Sequence, residues 1–295
     1  MEVELIDSLA GSRAGLTQLQ RRWRPVDDAG VPVPPRAAVL LVHGLGEHSA
    51  RHAYLGAFLA ERGLDVLGFD NRGHGQSGGP RGHVGSFVEF VDDVEDLVVE
   101  RHQLDRPVIL LGHSLGGLIA ATAVVEGRAR PDLLVLSSPA LGASGSRWQR
   151  LAAPLLGRVV PRVRVPSGTD GTRVSRDPAA QAAYADDPLR LRGVSAGLGR
   201  EIFGAMTSTS AQLDRITVPS YVLHGSDDEV VAPEASRPLN ALPNVTYRLW
   251  PGLRHECFNE PERAEVAAAL MAWIDDQLDL LPGERPRGGG LGSVG

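Results

Sequence analysis

Residues 107–117 have the sequence PVILLGHSLGG, an apolar run that leads directly into a G-x-S-x-G pentapeptide. The run predicts a short buried strand, and the Ala-rich residues after the pentapeptide predict a helix. A strand that turns at once into a helix must bend sharply at Ser114, and Gly112 and Gly116 relieve the crowding at that bend. The bend lifts the serine hydroxyl clear of the sheet, beside backbone N–H groups at a helix N-terminus. The pentapeptide therefore predicts a nucleophilic serine.

Composition limits the function classes that remain. The chain has 295 residues, enough for one large domain or a domain with an insertion, and 42% of them are apolar. The formal net charge is -6 and basic residues form no run, so we expect no nucleic-acid partner. Cys257 is the single cysteine of the sequence, which excludes an internal disulfide and a thiolate zinc cluster. We expect neither a metal ion nor a cofactor.

The N-terminus and the hydropathy pattern bear on location. The first residues lack the basic start and apolar stretch of a signal peptide. No apolar run approaches the roughly 18 residues needed to cross a bilayer. We therefore expect a cytoplasmic protein that contacts membranes at most peripherally.

Short apolar runs alternate with helical patterns along much of the chain. Runs that are continuously apolar are typical of parallel strands buried on both faces. Strands that alternate with helices favour a doubly wound, mostly parallel α/β sheet. The predicted strands are Ala37–Val42, Leu64–Phe69, Val108–Leu111, Leu133–Ser137, Ser220–His224 and Val245–Trp250, and the predicted helices are His52–Arg62, Phe87–Arg101 and Pro261–Leu280.

The alternation stops in residues 140–212, which show no buried-strand pattern. We expect this segment to be a helical cap inserted after the sixth strand, above a core formed by residues 1–139 and 213–281. The tail at 282–295 is rich in Gly and Pro and is expected to be disordered. An apolar helical pattern is also found in any buried helix, so the pattern alone leaves the role of the segment open. Its apolar residues include Trp148, Leu151, Leu155, Leu156, Leu198, Ile202, Phe203 and Met206.

A serine hydroxyl needs a nearby base and a third group that orients the base. In one recurring chain order the serine comes first, an acidic residue second and a histidine last. Asp228 and His255 fit this order, and each follows a predicted strand. We predict Ser114 as the nucleophile, His255 as general base and then acid, and Asp228 as the orienting carboxylate. Asp227 is the alternative to Asp228, because adjacent residues at a strand end point in different directions.

Two backbone N–H groups are expected to stabilise the oxyanion. One belongs to Leu115, directly after the serine, and the other to Leu45, in the loop after the first predicted strand. We expect His43 and His113 to support these loops and not to react. Cys257 is expected to be a small buried apolar residue.

Four segments carry a resemblance to a known family. Together they resemble monoacylglycerol lipases of the α/β-hydrolase superfamily, and the resemblance spans about residues 15–280. It implies an α/β-hydrolase fold with a cap, and an esterase that cleaves monoacylglycerol to fatty acid and glycerol in the cytosol or at a membrane. It assigns the same triad and oxyanion donors. The segments are HGLGEH at 43–48, DNRGHGQS at 70–77, GHSLGG at 112–117 and YADDP at 184–188.

The resemblance also places Glu47, Arg51 and Tyr184 around the glycerol end of the site. Two alternatives remain: Glu47 and Arg51 could form an ion pair that stabilises a loop, and Tyr184 could belong to the core of the cap. Ala185 and Phe258 depart from the residues often found in relatives, asparagine and a second histidine. These departures bear on headgroup preference and not on the reaction.

The expected partner is a small lipid ester. About eight buried methylenes contribute ~6 kcal/mol, whereas a contact to a glycerol hydroxyl contributes about 1 kcal/mol. The acyl chain should therefore dominate affinity. Lysophospholipase or general carboxylesterase activity is the main alternative, which Arg147, Arg150 and Arg158 keep open. A binding protein that has lost turnover is disfavoured by the intact set of three residues. An apolar cap also leaves peripheral membrane contact and a homodimer open.

Overall fold

A computed structural model describes residues 2–142, 157–166 and 168–281. An eight-stranded sheet with the order β1-β2-β4-β3-β5-β6-β9-β10 forms its centre, where β1–β2 and β2–β4 are antiparallel and the other pairs parallel. The strands are β1 (Glu2–Gly11), β2 (Thr17–Val26), β3 (Ala37–Val42), β4 (Leu64–Phe69), β5 (Val108–His113), β6 (Leu133–Ser137), β7 (Arg164–Pro166), β8 (Gly193–Ser195), β9 (Ser220–Gly225) and β10 (Val245–Trp250).

Helices cover both faces of the sheet. The α-helices named here are α1 (Ala53–Ala60), α2 (Val88–His102), α3 (Leu115–Val125), α4 (Gly171–Val174), α5 (Pro178–Asp186), α6 (Ala196–Ser210) and α7 (Arg263–Leu280), of which α1, α2, α3 and α7 pack on the sheet. One apolar cluster joins α2 and α3 to the sheet, and a second joins α1 and α7 to it. The predicted doubly wound α/β architecture is confirmed. Among the described residues, no helix combines the length and apolar character needed to cross a bilayer.

The polar N-terminal segment forms the hairpin β1–β2, which the sequence analysis did not predict. β1 lies at the edge of the sheet, so its residues do not show the continuous apolar pattern of a buried strand. Cross-strand ion pairs such as Arg21–Asp7 hold it to β2. Trp23 of β2 is buried against α1, where a Cβ at Gly56 would lie 2.5 Å from the indole. The hairpin therefore extends the sheet and packs on the first helix.

The chain leaves the sheet after β6, the sixth strand, and returns at β9. The insertion contains α4, α5 and α6, together with the antiparallel pair β7–β8. The expectation that residues 140–212 contain no buried strand is wrong for β8, all three residues of which are buried. Three residues are too few for a strand period to be recognised. Arg147, Trp148, Arg150, Leu151, Leu155, Leu156 and the tail at 282–295 lie outside the described residues.

Candidate active site

Ser114 occupies the turn between β5 and α3. Its backbone has φ 53° and ψ −115°, in the left-handed region that a residue with a side chain rarely adopts. A Cβ at Gly112 would lie 2.3 Å from the Gly116 carbonyl oxygen, and a Cβ at Gly116 would lie 2.0 Å from the Val42 carbonyl oxygen. The turn therefore requires glycine at both positions, as the pentapeptide predicts.

Asp228 and His255 meet beside this turn. The Nδ1 of His255 lies 2.7 Å from the Oδ2 of Asp228. The other carboxylate oxygen accepts hydrogen bonds from the N–H groups of Val230 and Val231, at 2.8 and 2.9 Å. Asp227 is exposed, and its side chain accepts a bond from the neighbouring serine hydroxyl instead. The structure thus brings Asp228, and not Asp227, to His255.

The charges of this pair support each other. Burial works to lower the pKa of His255, but the Asp228 carboxylate raises it above the ordinary value for histidine. Burial works to raise the pKa of Asp228, but His255 and His224 lower it well below its usual range. Since Asp228 is ionised, the Nδ1 of His255 donates and its Nε2 is left as the basic atom.

Ser114 and His255 line the same cavity. Within the described residues, no hydrogen bond joins the serine Oγ to His255. Such bonds often tighten only in the complex with substrate. The ring of His113 packs on His255 with centroids 4.8 Å apart, and burial lowers the pKa of His113 to about 3. His113 therefore stays neutral, and it supports the site as predicted.

Leu45 and Leu115 both line this cavity. In the part of the chain that the structure describes, the N–H of neither residue donates to an acceptor. The Glu47 carboxylate accepts the N–H of Gly44 and so holds the Leu45 loop. His43 links this loop to the loop after β4, because its Nε2 accepts a hydrogen bond from the backbone N–H of Asn71 at 2.8 Å. The backbone N–H groups of Leu45 and Leu115 are thus two donors on the wall of the cavity that Ser114 also lines.

The three residues expected at the glycerol end lie together but differ in position. Glu47 and Tyr184 line the cavity, whereas Arg51 is absent from its lining. Arg51 donates to Glu256 at 2.6 Å, and its guanidinium carbon lies 4.9 Å from the centre of the Tyr184 ring. The guanidinium of Arg190 lies 4.4 Å from the same ring centre. Two guanidinium groups therefore pack on the ring of Tyr184. Arg51 positions this ring and does not itself line the cavity.

Two segments that carry the resemblance meet in space. The Nε2 of His48 lies 2.8 Å from the Oδ2 of Asp187, which joins the loop after β3 to the end of α5. The Oε1 of Glu47 lies 3.1 Å from the Nε2 of His52. Burial works to raise the pKa of Glu47, but His52 and other histidines lower it well below its ordinary value. A fixed negative charge therefore borders the cavity at the junction between the sheet and the insertion.

The cavity above Ser114 has a volume of about 850 Å³. Its far wall comes from the insertion and is largely apolar, while Ser114 and His255 lie on the side of the sheet. Cavities of this size and character bind small organic ligands. Apolar lining residues include Leu45, Val165, Val194, Ile202, Phe203 and Met206.

A family model, Hydrolase_4, described as serine aminopeptidase S33, matches residues 33–262. The chain belongs to the Hydrolase_4 family. It is 36% identical over 264 residues to a monoacylglycerol lipase of Mycolicibacterium smegmatis, which covers 87% of this chain and 92% of that relative. It is 33% identical over 251 residues to phospholipase YtpA of Bacillus subtilis, with 83% and 97% covered. A crystal structure of Paleococcus ferrophilus monoacylglycerol lipase matches with a TM-score of 0.77 and 31% identity, over 93% and 99% of the two chains.

These similarities confirm the α/β-hydrolase fold and the predicted resemblance. This protein is therefore a serine hydrolase of the esterase and lipase type. Sequence reasoning missed two contributors to the site, His224 and Glu256. The spacing of four residues between His224 and Asp228 was an available signal, whereas the contact of Glu256 with Arg51 joins distant segments and leaves no local pattern.

Replacing Gly116 by alanine should destabilise the fold by about 3 kcal/mol, because the new Cβ would meet backbone atoms that cannot move aside. Gly204→Ala is the matched control. A Cβ at Gly204 meets nothing within 4 Å, and this exposed position in α6 should gain about 0.5–1 kcal/mol. Urea unfolding measures the free energy of unfolding of both variants. Equal stability of the two variants would contradict the packing described for the turn.

Asp228→Asn should lower kcat by about 10⁴-fold without loss of the fold, because the orientation and tautomer of His255 are no longer fixed. Asp227→Asn is the matched control and should retain kcat within about twofold. Turnover of a short-chain ester and circular dichroism provide the two readouts. A large loss in the Asp227 variant alone would reverse the assignment.

Proposed function

We propose that this protein hydrolyses monoacylglycerols to a fatty acid and glycerol. The observation that carries the proposal is the placement of Ser114 and the Asp228-bound His255 on one wall of a cavity whose opposite wall is apolar. Relatives named monoacylglycerol lipase, similar over most of both chains, support it.

The proposed reaction proceeds in two steps. His255 Nε2 takes the hydroxyl proton of Ser114 as Oγ attacks the ester carbonyl carbon, and the N–H groups of Leu45 and Leu115 bind the oxyanion. Collapse of this intermediate breaks the ester C–O bond, and His255 gives the proton to the departing glycerol oxygen. His255 then deprotonates a water molecule that attacks the acyl carbonyl carbon, and it returns this proton to Ser114 Oγ as the acyl-serine C–O bond breaks and the fatty acid is released. Asp228 keeps the imidazole oriented throughout.

The apolar wall suits one acyl chain. Its apolar residues and the cavity volume of about 850 Å³ accommodate one chain together with the polar end of the substrate. We assign the glycerol end to Glu47 and Tyr184, whose side chains border the cavity near the oxyanion loop. Arg51 acts there indirectly, because its guanidinium donates to Glu256 and packs on the ring of Tyr184.

We propose that residues 140–212 act as a cap over a core of residues 1–139 and 213–281. Within the cap, Val159 and Val163 are 70% and 49% exposed, and Arg158 and Arg162 beside them are exposed too. Valine and arginine side chains on one exposed segment suit a membrane–water interface. This pattern supports peripheral membrane contact by a cytoplasmic enzyme.

Lysophospholipase activity is the second candidate. The similarity to phospholipase YtpA of Bacillus subtilis supports it, and Arg173, which is paired with Glu229 at 3.7 Å, is a cation on the cavity wall that a phosphate could contact. A peptidase, which the family description also includes, would require a carboxylate for a substrate amine. The buried carboxylates on the wall, Glu47 and Glu256, both contact Arg51, so each already has a cationic partner within the protein.

Fluorophosphonate labelling combined with a substrate panel tests the proposal. The wild-type protein should be labelled, and Ser114→Ala should not be. Wild-type enzyme that has not been treated with the probe should turn over monoacylglycerol at least about tenfold faster than di- and triacylglycerol. Preference for lysophosphatidylcholine would favour the second candidate, and preference for a peptide amide would favour a peptidase. An unlabelled wild-type protein would exclude a serine hydrolase mechanism.

Phe203→Ala should raise KM for a long-chain monoacylglycerol by about tenfold, because the aromatic wall contributes roughly 1.5 kcal/mol to chain binding. KM for a short-chain ester should change by less than about twofold. Phe58→Ala, a partly buried phenylalanine of α1 outside the cavity, is the matched control. Equal changes for both chain lengths would show that this wall does not hold the chain.

A further inference from the structure

A second imidazole contacts the carboxylate that orients His255. His224 lies near the end of β9 and is completely buried. Its Nε2 lies 3.0 Å from the Oδ2 of Asp228, the same oxygen that lies 2.7 Å from the Nδ1 of His255. One carboxylate oxygen is therefore shared between two histidines. Nothing in the reaction proposed above requires the second.

The surroundings fix the proton on His224. Its Nε2 also lies 3.0 Å from the carbonyl oxygen of Val231. Both neighbours of this nitrogen are acceptors, because Asp228 is ionised, so the Nε2 carries a proton in either charge state of the ring. On the opposite side, Nδ1 lies 2.8 Å from the Oγ of Ser236, which is itself 3.0 Å from the hydroxyl of Tyr247. Contacts on both edges hold the ring in place.

We propose that His224 is a positioning residue whose Nε2–H, donated to the shared Oδ2, fixes the orientation of Asp228 and limits its basicity toward His255. This inference rests on the proposed catalytic roles of Asp228 and His255. Backbone N–H groups hold Oδ1, as described above, so His224 is the second group, besides His255, that holds Oδ2. Without it the carboxylate keeps more negative charge on Oδ2, and its orientation is held by the two bonds to Oδ1 and by His255 alone.

The remaining charges near the pair stay unchanged when His224 is replaced. Glu47 and Glu256 both act to raise the pKa of His255, and His113 is neutral beside it. Burial raises the pKa of Cys257, near Asp228, to about 12, so the thiol is uncharged. Tyr247 and Asp228 are the titratable groups linked to the His224 ring in the described part of the chain. An altered titration of His255 therefore reports the lost contact at Oδ2.

Three substitutions isolate this contact. His224→Leu removes the donor, and His224→Asn also removes it, because its shorter amide cannot reach Oδ2 while it keeps the position polar. His224→Gln places an amide N–H near the original Nε2 and is the conservative rescue. Ser236→Ala is the matched control, since it removes a hydrogen bond from the far edge of the same ring and leaves the contact to Asp228 in place.

Two measurements follow each variant. The first is kcat/KM against pH for a short-chain ester, whose acid limb reports the protonation of His255 in the free enzyme. The second is an NMR titration of the His255 imidazole, assigned by its loss in His255→Ala. The titration does not depend on turnover, so it reports on His224 even if the enzyme proves to act on a different bond.

His224→Leu and His224→Asn should raise the pKa of His255, and with it the acid limb, by about one unit, because a more basic carboxylate stabilises the imidazolium. At a pH below this limb, kcat/KM of these two variants should be about tenfold lower than that of the wild type at the same pH. His224→Gln and Ser236→Ala should shift the limb by less than about 0.3 unit. If the variants lower the plateau but leave the limb and the NMR titration unchanged, His224 only supports packing and the proposal is wrong. If the Leu variant does not fold, the Asn variant decides.

Discussion

The site depends on the close approach of three backbone segments around Ser114. The carbonyl of Val42, at the end of β3, lies against Gly116, and Gly112 lies against the same first turn of α3. This packing forces Ser114 into a left-handed conformation that its own side chain disfavours. The cost is tolerated because the flanking strands and helix are fully buried and cannot relax separately. The same packing places Leu115 on the cavity wall directly after Ser114, so the strain at the serine and the proposed oxyanion site have a single structural cause.

Charged groups at the site are stabilised in pairs instead of by water. Asp228 accepts four hydrogen bonds, two from backbone N–H groups and two from imidazoles. Glu47 faces His52, Arg51 and the N–H of Gly44. A buried carboxylate left without such partners would bind a proton and lose its function. The partners also connect the sheet to the insertion, because Arg51 reaches Tyr184 and His48 reaches Asp187. The contacts that stabilise these buried charges therefore also fix the position of the insertion on the sheet.

Local patterns were enough to predict the central sheet and the three residues of the proposed triad. The strands from β3 to β6 and β9 were predicted because continuous apolar runs are typical of strands buried on both faces. β10 was also predicted, although it is an edge strand in which only Trp250 is buried. β1 was missed because an edge strand alternates weakly, and β8 was missed because three residues carry no period. Arg51 was placed at the cavity by resemblance, but its contact with Glu256, which lies 205 residues away in the chain, turns it aside. Long-range pairing of this kind leaves no trace in a local pattern.

The division of labour within the cavity follows from these contacts. Chemistry resides on strand ends and turns of the sheet, which are rigid because they are buried on both faces. We assign chain binding to the insertion, whose apolar residues such as Ile202 and Phe203 line the same cavity as Ser114. Since burial energy is non-directional and grows with area, this wall can change to suit other acyl chains without disturbing the hydrogen-bond geometry below it. The polar junction of Glu47 and Tyr184 lies between the two and cannot change as freely, because altering either residue would leave Arg51 buried with fewer partners.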